Sequence, residues 1–213
     1  IRNPLASLKS ASEILQDTNN SDQRLKLLNI LDHDVQRIER LITDYSQMLK
    51  DEVALSKEQM KKINIEPIIQ SVVDDYNSIY KVKKDIKINY ENDGKKEYSV
   101  NGIENRIEQM IANLLDNSIS FTEKGGKIIV NISNTSNKKI TVKIIDEGQG
   151  FKEKDTSKIF RRFYSNRPDK FGEHSGLGLN IVKNLVELHD GKITASNRPN
   201  NEGAIMEISF PSM

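Results

Sequence analysis

In the stretch "QMIANLLDNSISF", Gln109, Asn113, Asn117 and Phe121 recur at every fourth position. That spacing puts them on one stripe of a helix, beside the apolar positions Ile107, Met110, Ile111, Leu114 and Leu115. Asparagine is a mediocre helix former. Two of them one turn apart make sense where their side-chain oxygens bind something, and hard oxygen ligands suit Mg²⁺ sharing its shell with water and phosphates. A solvent-facing pair is the commoner arrangement, and this stretch alone leaves it open. "IIDEGQG" shifts the balance: Asp146 ends an alternating apolar strand, and Gly148 and Gly150 then allow positive backbone angles and close ligand approach. A buried carboxylate at a strand end accepts a hydrogen bond from an exocyclic amine, which is how a pocket selects adenine. Alone, a D-x-G-x-G stretch is as often a turn.

In "HSGLGLNIVKNLVELH", Gly176 and Gly178 precede or begin an amphipathic helix whose apolar face holds Ile181, Val182, Leu185 and Val186. Such a helix start offers amide N–H groups and a positive dipole end to phosphate oxygens. The Walker lysine pattern is absent, and the glycines do not sit within the strand-turn-helix of a dinucleotide fold. Between the two glycine stretches, "IFRRFYSNRPDKFGEHSG" alternates Phe160, Phe163, Tyr164 and Phe171 with Arg161, Arg162, Arg167 and Lys170. This is either a stacking surface for nucleic acid or a lid whose cations meet a polyphosphate. The charge balance favours the lid. With 32 basic and 31 acidic residues the net charge is +1, so no global field attracts nucleic acid or an anionic membrane.

The 213 residues are enough for one large or two small domains of ordinary composition. The absence of cysteine excludes disulfides, zinc-thiolate sites and thiol catalysis and fits a reducing compartment. No apolar run approaches the roughly 20 residues that cross a bilayer. The chain divides into two parts. Leu28, Leu31, Val35, Ile38, Ile42, Tyr45 and Leu49 alternate steps of three and four, and Leu5, Leu8, Ser12 and Leu15 do the same ahead of the turn "DTNNSD". This predicts a helical hairpin that buries its seam in a four-helix bundle by dimerising, the alternative being that it packs on the chain's own globular part. Beyond "DEVALSKEQMKK" the pattern predicts a helix over 66–80, strands in "IKINYE" and "EYSV", and a helix over 103–121. A hairpin from "KIIVNISNT" and "KITVKIID", a helix over 177–189 and a closing hairpin follow. The fold class is α+β, with helices on one face of a mixed, largely antiparallel sheet.

Taken together and in order, "NLLDNS", "DEGQG", "IFRRFY" and "GLGL" resemble the ATP-binding domain of bacterial sensor histidine kinases. Its Bergerat-type α/β sandwich is shared with the gyrase, Hsp90 and MutL superfamily. The resemblance covers essentially the whole chain. It implies a dimerisation and histidine-phosphotransfer hairpin over 1–52 and a catalytic ATP-binding domain over 63–213. "IRNP" resembles the end of the family's phosphoacceptor motif, which puts the histidine two positions before Ile1. Autophosphorylation is then expected to be absent in this chain.

By position, the resemblance assigns Asn113 and Asn117 to Mg²⁺ and the phosphates, with Phe121 on the same stripe. It assigns Asp146 to the adenine amine, Gly148 and Gly150 to the wall beside the base, and Gly176, Leu177, Gly178 and Leu179 to the phosphate end. Arg162 matches a basic position of the phenylalanine motif, and Arg167 and Lys170 are lid cations. Two departures stand out: Ser120 occupies a position where many members carry a phosphate-reaching lysine, and Arg161 one where glutamate is common. Asn3 falls where an Asn or Thr positions water for dephosphorylating a regulator, and Pro4 either loosens the helix there or is simply an early-turn proline. Of the histidines, His33 is expected to face solvent, His174 sits in the lid, and His189 is an ordinary cation at a helix C-terminus. None is expected to accept a phosphoryl group.

The implied activity is phosphoryl transfer from Mg-ATP to histidine and onward to an aspartate of a response-regulator receiver domain. The implied setting is a cytoplasmic homodimer without nucleic-acid or membrane contacts of its own, whose parent protein is anchored in the bacterial inner membrane. Two other classes stay open at this stage. An ATP-independent pseudokinase would dock a regulator without binding nucleotide, and a non-kinase ATPase of the superfamily would need a transducer domain beyond "FPSM".

Overall fold

The computed structural model describes residues 2–55, 58–95, 97–135, 138–152, 155–164, 176–199 and 202–213. The chain forms two compact units that divide after residue 56. The first is a helical hairpin of α1 (Arg2–Asp17) and α2 (Ser21–Leu55). Asn20 caps α2 by accepting from the amides of Asp22 (3.0 Å) and Gln23 (3.1 Å), which relieves donors that have no carbonyl within the helix. The guanidinium of Arg24 donates to the carbonyls of Leu15 and Thr18, closing the turn. Inside the hairpin Ala11 and Leu27 are buried, whereas Leu28, Val35 and Ile42, one heptad apart, remain exposed. α2 also runs on to Leu55, through the charged stretch after Lys50.

The second unit begins with β1 (Lys61–Asn64) and α3 (Ile65–Lys84), followed by β2 (Lys87–Asn92), β3 (Ser99–Gly102) and α4 (Glu104–Phe121). β4 (Lys127–Thr135) and β5 (Lys139–Asp146) come next, then a 3₁₀ turn over Thr156–Phe160, α5 (Gly178–Leu188), β6 (Lys192–Asn197) and β7 (Ala204–Pro211). The main sheet has the order β2-β4-β5-β7-β6, parallel between β2 and β4 and antiparallel elsewhere. Strict alternation of apolar residues builds its inner face: Ile128, Val130 and Ile132 of β4, Ile140, Val142 and Ile144 of β5, and Met206, Ile208 and Phe210 of β7. Facing them are Ile69, Val72 and Val73 of α3, Ile107, Met110, Ile111, Leu114 and Leu115 of α4, and Val182, Leu185 and Val186 of α5. α4 lies between α3 and α5 and touches both, so the chemistry-bearing helix is braced on two sides.

Alternation does not reveal the ribbon of β1 with β3, because "KKIN" lies within a charged segment; its register runs from Lys61 opposite Gly102 to Asn64 opposite Ser99. Asn64 joins this ribbon to α3 by accepting from the amides of Glu66 (3.3 Å) and Tyr98 (3.2 Å). Among the described residues no helix is long and apolar enough to cross a membrane.

Candidate functional site

α4 presents its stripe at the boundary between core and surface: Gln109, Asn113, Asn117 and Phe121 are all half-buried. The Asn113 amide nitrogen donates to the Gln109 carbonyl at 2.9 Å. That bond spends the donor on Asn113's own helix and orients the opposite end of the carboxamide, Oδ1, away from it. A Cβ on Gly178 would lie only 3.3 Å from that oxygen. Asn113 and the first residue of α5 are therefore neighbours, and α5 has no side chain capping its start. The amides of Gly178, Leu179 and Asn180 have no carbonyl within their own helix to bond. Gly176, with φ +71°, turns the chain into this start through Leu177, and its own amide side faces Phe163 and Tyr164 too closely for a Cβ.

The other end of the stripe meets the end of β5. Asp146 is 3% exposed, and its Oδ1 accepts from the amides of Gly148 (2.9 Å) and Ala204 (3.1 Å). Burial pushes its carboxyl above the usual range, against the pull of those two bonds, the nearby Ser118 hydroxyl and Arg198. The Ser118 hydroxyl is wholly buried beside this carboxylate yet reaches no ordinary hydrogen-bond geometry. A carboxylate with one oxygen committed, next to a hydroxyl lacking a partner, is a donor and acceptor set that a base edge would complete.

Gly148 does not take the positive φ expected of it. It is glycine because a Cβ would come within 2.9 Å of Asp146 Oδ1 and 3.1 Å of Phe121. Gly150 does require the left-handed region, at φ +69°. Beside it the Asn197 carboxamide accepts from the Phe151 amide (2.6 Å) and donates to the Phe151 carbonyl (2.9 Å), holding the loop as a strand neighbour would.

Along α4, Asn113 and Phe121 are eight residues apart, or about 12 Å at 1.5 Å per residue. The Asp146 carboxylate and the corner of Asn113 and Gly178 thus stand at the two ends of one helix face. The oxygen set at the Asn113 end consists of carboxamides. Among the described residues no cluster of three or more His, Cys, Asp or Glu could hold a metal, so a cation here has to complete its shell from water and phosphate, as Mg²⁺ does. The residues fit such a group.

The phenylalanine segment is fixed through α5. Asn180, nearly buried, donates to the Phe160 carbonyl at 2.9 Å and accepts from Arg162 Nε at 3.3 Å. Phe160 is buried, and Phe163 adopts φ +61° while donating its amide to Gly176 at 3.0 Å. Arg167 and Lys170, together with Phe171 and His174, lie outside the described residues. Asn3 lies in the first turn of α1, with its side chain outside the described ones. Ser120 donates to the Asn117 carbonyl at 2.5 Å, so the position contributes a hydroxyl already bonded within its own helix.

Sequence reasoning misses three residues. Asn180 sits on an otherwise apolar helix, and that mismatch was its one signal. Ser118 reads as helix filler in "DNSIS". His189 is corrected outright: it is 3% exposed, donates through Nδ1 to the Leu185 carbonyl (2.7 Å) and accepts at Nε2 from the Ile103 amide (3.1 Å). Burial holds its pKa below the ordinary 6.5, so it is a neutral tether between α5 and the start of α4 and not a dipole-facing cation. His33 is exposed on α2.

Comparison with known proteins follows the same division. Residues 102–213, more than half of the chain, match the family model described as histidine kinase-, DNA gyrase B-, and HSP90-like ATPase. Residues 1–52 match the His Kinase A (phospho-acceptor) domain. The sensor protein ChvG of Rhizobium meliloti (strain 1021) is 35% identical over 99% of this chain and 37% of its own length. The adaptive-response sensory kinase SasA of Rippkaea orientalis is 30% identical over 99% of the chain and 55% of its own. The chain thus spans a little over a third of ChvG and about half of SasA. Among solved structures, the nucleotide-free catalytic domain of histidine kinase ThkA is 27% identical with a TM-score of 0.63, covering 73% of this chain and 97% of that one. ThkA in complex with the response regulator protein TrrA shares the fold over 100% of this chain and 58% of that one, at 24% identity and a TM-score of 0.66. The chain belongs to the histidine kinase-, DNA gyrase B-, and HSP90-like ATPase family, in the arrangement of a sensor histidine kinase core.

Proposed function

We propose that this chain is the kinase core of a two-component sensor, binding Mg-ATP in residues 63–213 and serving phosphoryl transfer to the histidine of the motif whose end "IRNP" resembles, just ahead of the hairpin unit 1–52. The observation that carries the reading is the pairing, on one face of α4, of a buried strand-end carboxylate with the Asn113 and Gly178 corner. Asp146 accepts the adenine amine, Ser118 completes the base edge, and Gly148, Gly150 and Phe121 shape the wall against the ring. The amides of Gly178 and Leu179 face the phosphates, where the positive end of α5 favours negative charge. Gly176 and Leu177 bring the chain to that position.

Bound Mg²⁺, held by the side-chain oxygens of Asn113 and Asn117 together with water and phosphate, supplies charge neutralisation for phosphoryl transfer. With Ser120 in place of a lysine, the remaining positive charge comes from Arg162 and from the lid cations Arg167 and Lys170. In the transfer the imidazole nitrogen bonds to the γ-phosphorus, the bond to the bridging oxygen breaks, ADP leaves and the ring loses its proton. The chain's part is in-line positioning more than covalent assistance. Asn3 is the position that orients water for the opposing reaction, in which water takes the phosphoryl group of the regulator aspartate and inorganic phosphate leaves. The final acceptor is an aspartate of a receiver domain; the ThkA complex with a response regulator supports that class of partner.

The hairpin works as a homodimer, because Leu28, Val35 and Ile42 form a heptad stripe left exposed by a single copy. We place the core in the cytoplasm, with the whole protein anchored in the inner membrane. Incubating the chain, extended upstream to include the acceptor motif, with γ-labelled ATP tests the proposal. Acid-labile, base-stable label that disappears on replacing the acceptor histidine or Asn113 is expected. A protein that binds ATP but never takes up label is the docking module instead.

A further inference from the structure

Three residues past the end of α2, Glu58 opens the larger unit and clasps the first turn of α4. Its Oε2 accepts from Arg106 Nε at 2.9 Å and its Oε1 from Arg106 Nη2 at 3.0 Å, with Asn105 adding a third bond at 3.3 Å. Arg106 is 6% exposed and Glu58 half-buried, so this fork is a partly buried, bidentate ion pair. The third arm of the guanidinium, Nη1, donates to Gln109 Oε1 at 3.1 Å. Gln109 in turn accepts the Asn113 amide on its main-chain carbonyl. The stripe that faces the nucleotide is thereby tied, bond by bond, to the segment that joins the two units.

We propose that Arg106, held by Glu58, is a positioning residue for Asn113, and that the Glu58–Arg106 clasp sets the affinity of the phosphate end of the site. This rests on the nucleotide reading above. The physical reason lies in the i to i+4 spacing of Gln109 and Asn113, at which two carboxamides bond each other readily along a helix. Arg106 draws the Gln109 oxygen toward the start of α4. The Gln109 side chain is thus kept off Asn113, whose donor stays on the main-chain carbonyl and whose Oδ1 stays turned toward Gly178. Glu58 is needed because its two carboxylate oxygens hold Nε and Nη2 of the buried Arg106. The fork also fixes which arm reaches Gln109, something a lysine could not do.

The test is calorimetry on the full chain with two probes, Mg·AMP-PNP and adenosine, and the variants Arg106→Met, Arg106→Lys, Glu58→Gln and Asn113→Ala. Arg106→Met is expected to weaken Mg·AMP-PNP about tenfold and adenosine less than twofold, with Arg106→Lys close to Met. In the Asn113→Ala background Arg106→Met should have no further effect, because the residue acts through Asn113. Glu58→Gln, which keeps the size and the hydrogen bonds, should show the same selective loss at three- to tenfold and carries the test if Arg106→Met does not fold. Parallel losses for both probes, additivity with Asn113→Ala, or unchanged affinity in Arg106→Lys and Glu58→Gln would each overturn the clasp. Failure of the unaltered chain to bind Mg·AMP-PNP, or full binding by Asn113→Ala, would overturn the nucleotide reading and the clasp with it.

Discussion

Asp146 holds its site together at a cost, because its carboxyl is raised by burial. A carboxylate with a raised folded pKa contributes most at low pH, and that contribution is lost as pH rises through the folded value. Ionised at neutral pH, it works against folding. Asp146→Asn keeps an oxygen for the Gly148 and Ala204 amides and loses the charge, so its melting temperature should equal or exceed that of the unaltered chain, by thermal denaturation. Its ATP affinity should still fall ten- to a hundredfold, corresponding to about 1.4–3 kcal/mol for a mismatched buried acceptor. In the unaltered chain, ATP affinity should decline as pH is lowered and Asp146 takes up its proton. Gly203 tests the same corner from behind: at φ +114° its Cβ would fall 1.9 Å from the Asp146 carbonyl. Gly203→Ala should cost on the order of 3 kcal/mol or more in chemical denaturation.

The tether between α5 and α4 has its own pH signature. His189 is neutral in the fold with a depressed pKa. Its contribution is complete above the ordinary 6.5 and is lost as pH falls from there toward the folded value, because the unfolded chain then binds the proton first. Stability should therefore drop as pH falls below about 6.5, and His189→Gln should flatten that part of the profile while lowering stability at pH 7.5 by about 1–3 kcal/mol, since Ile103 loses its acceptor. Elements with one clean period could be read in advance: α4 from its 3–4 spacing, and β4 with β5 from alternation. β1 could not, because its four residues carry two lysines and gain their place only through pairing with β3 some forty residues later. The asparagines of α4 and the glycines after β5 and before α5 stood out because they defy helix and strand preferences. Ser118, Asn180 and the Glu58–Arg106 pair did not, since their meaning lies in partners distant in sequence.

For the molecule as a whole, the exposed stripe of the hairpin is the feature a single copy leaves unresolved. Val35 and Ile42 are 44% and 59% exposed. Lysine at both should convert a dimer to a monomer in sedimentation velocity, while ATP affinity, which belongs to the other unit, changes less than twofold. The central claim, that one face of α4 holds a nucleotide between Asp146 and Asn113, is tested most directly by titrating the chain with an ATP analogue in the presence and absence of Mg²⁺. Binding that strengthens with Mg²⁺, loses that increment in Asn113→Ala and weakens by about ten- to a hundredfold in Asp146→Asn is the predicted result. Binding that ignores Mg²⁺ and survives Asp146→Asn would contradict the account.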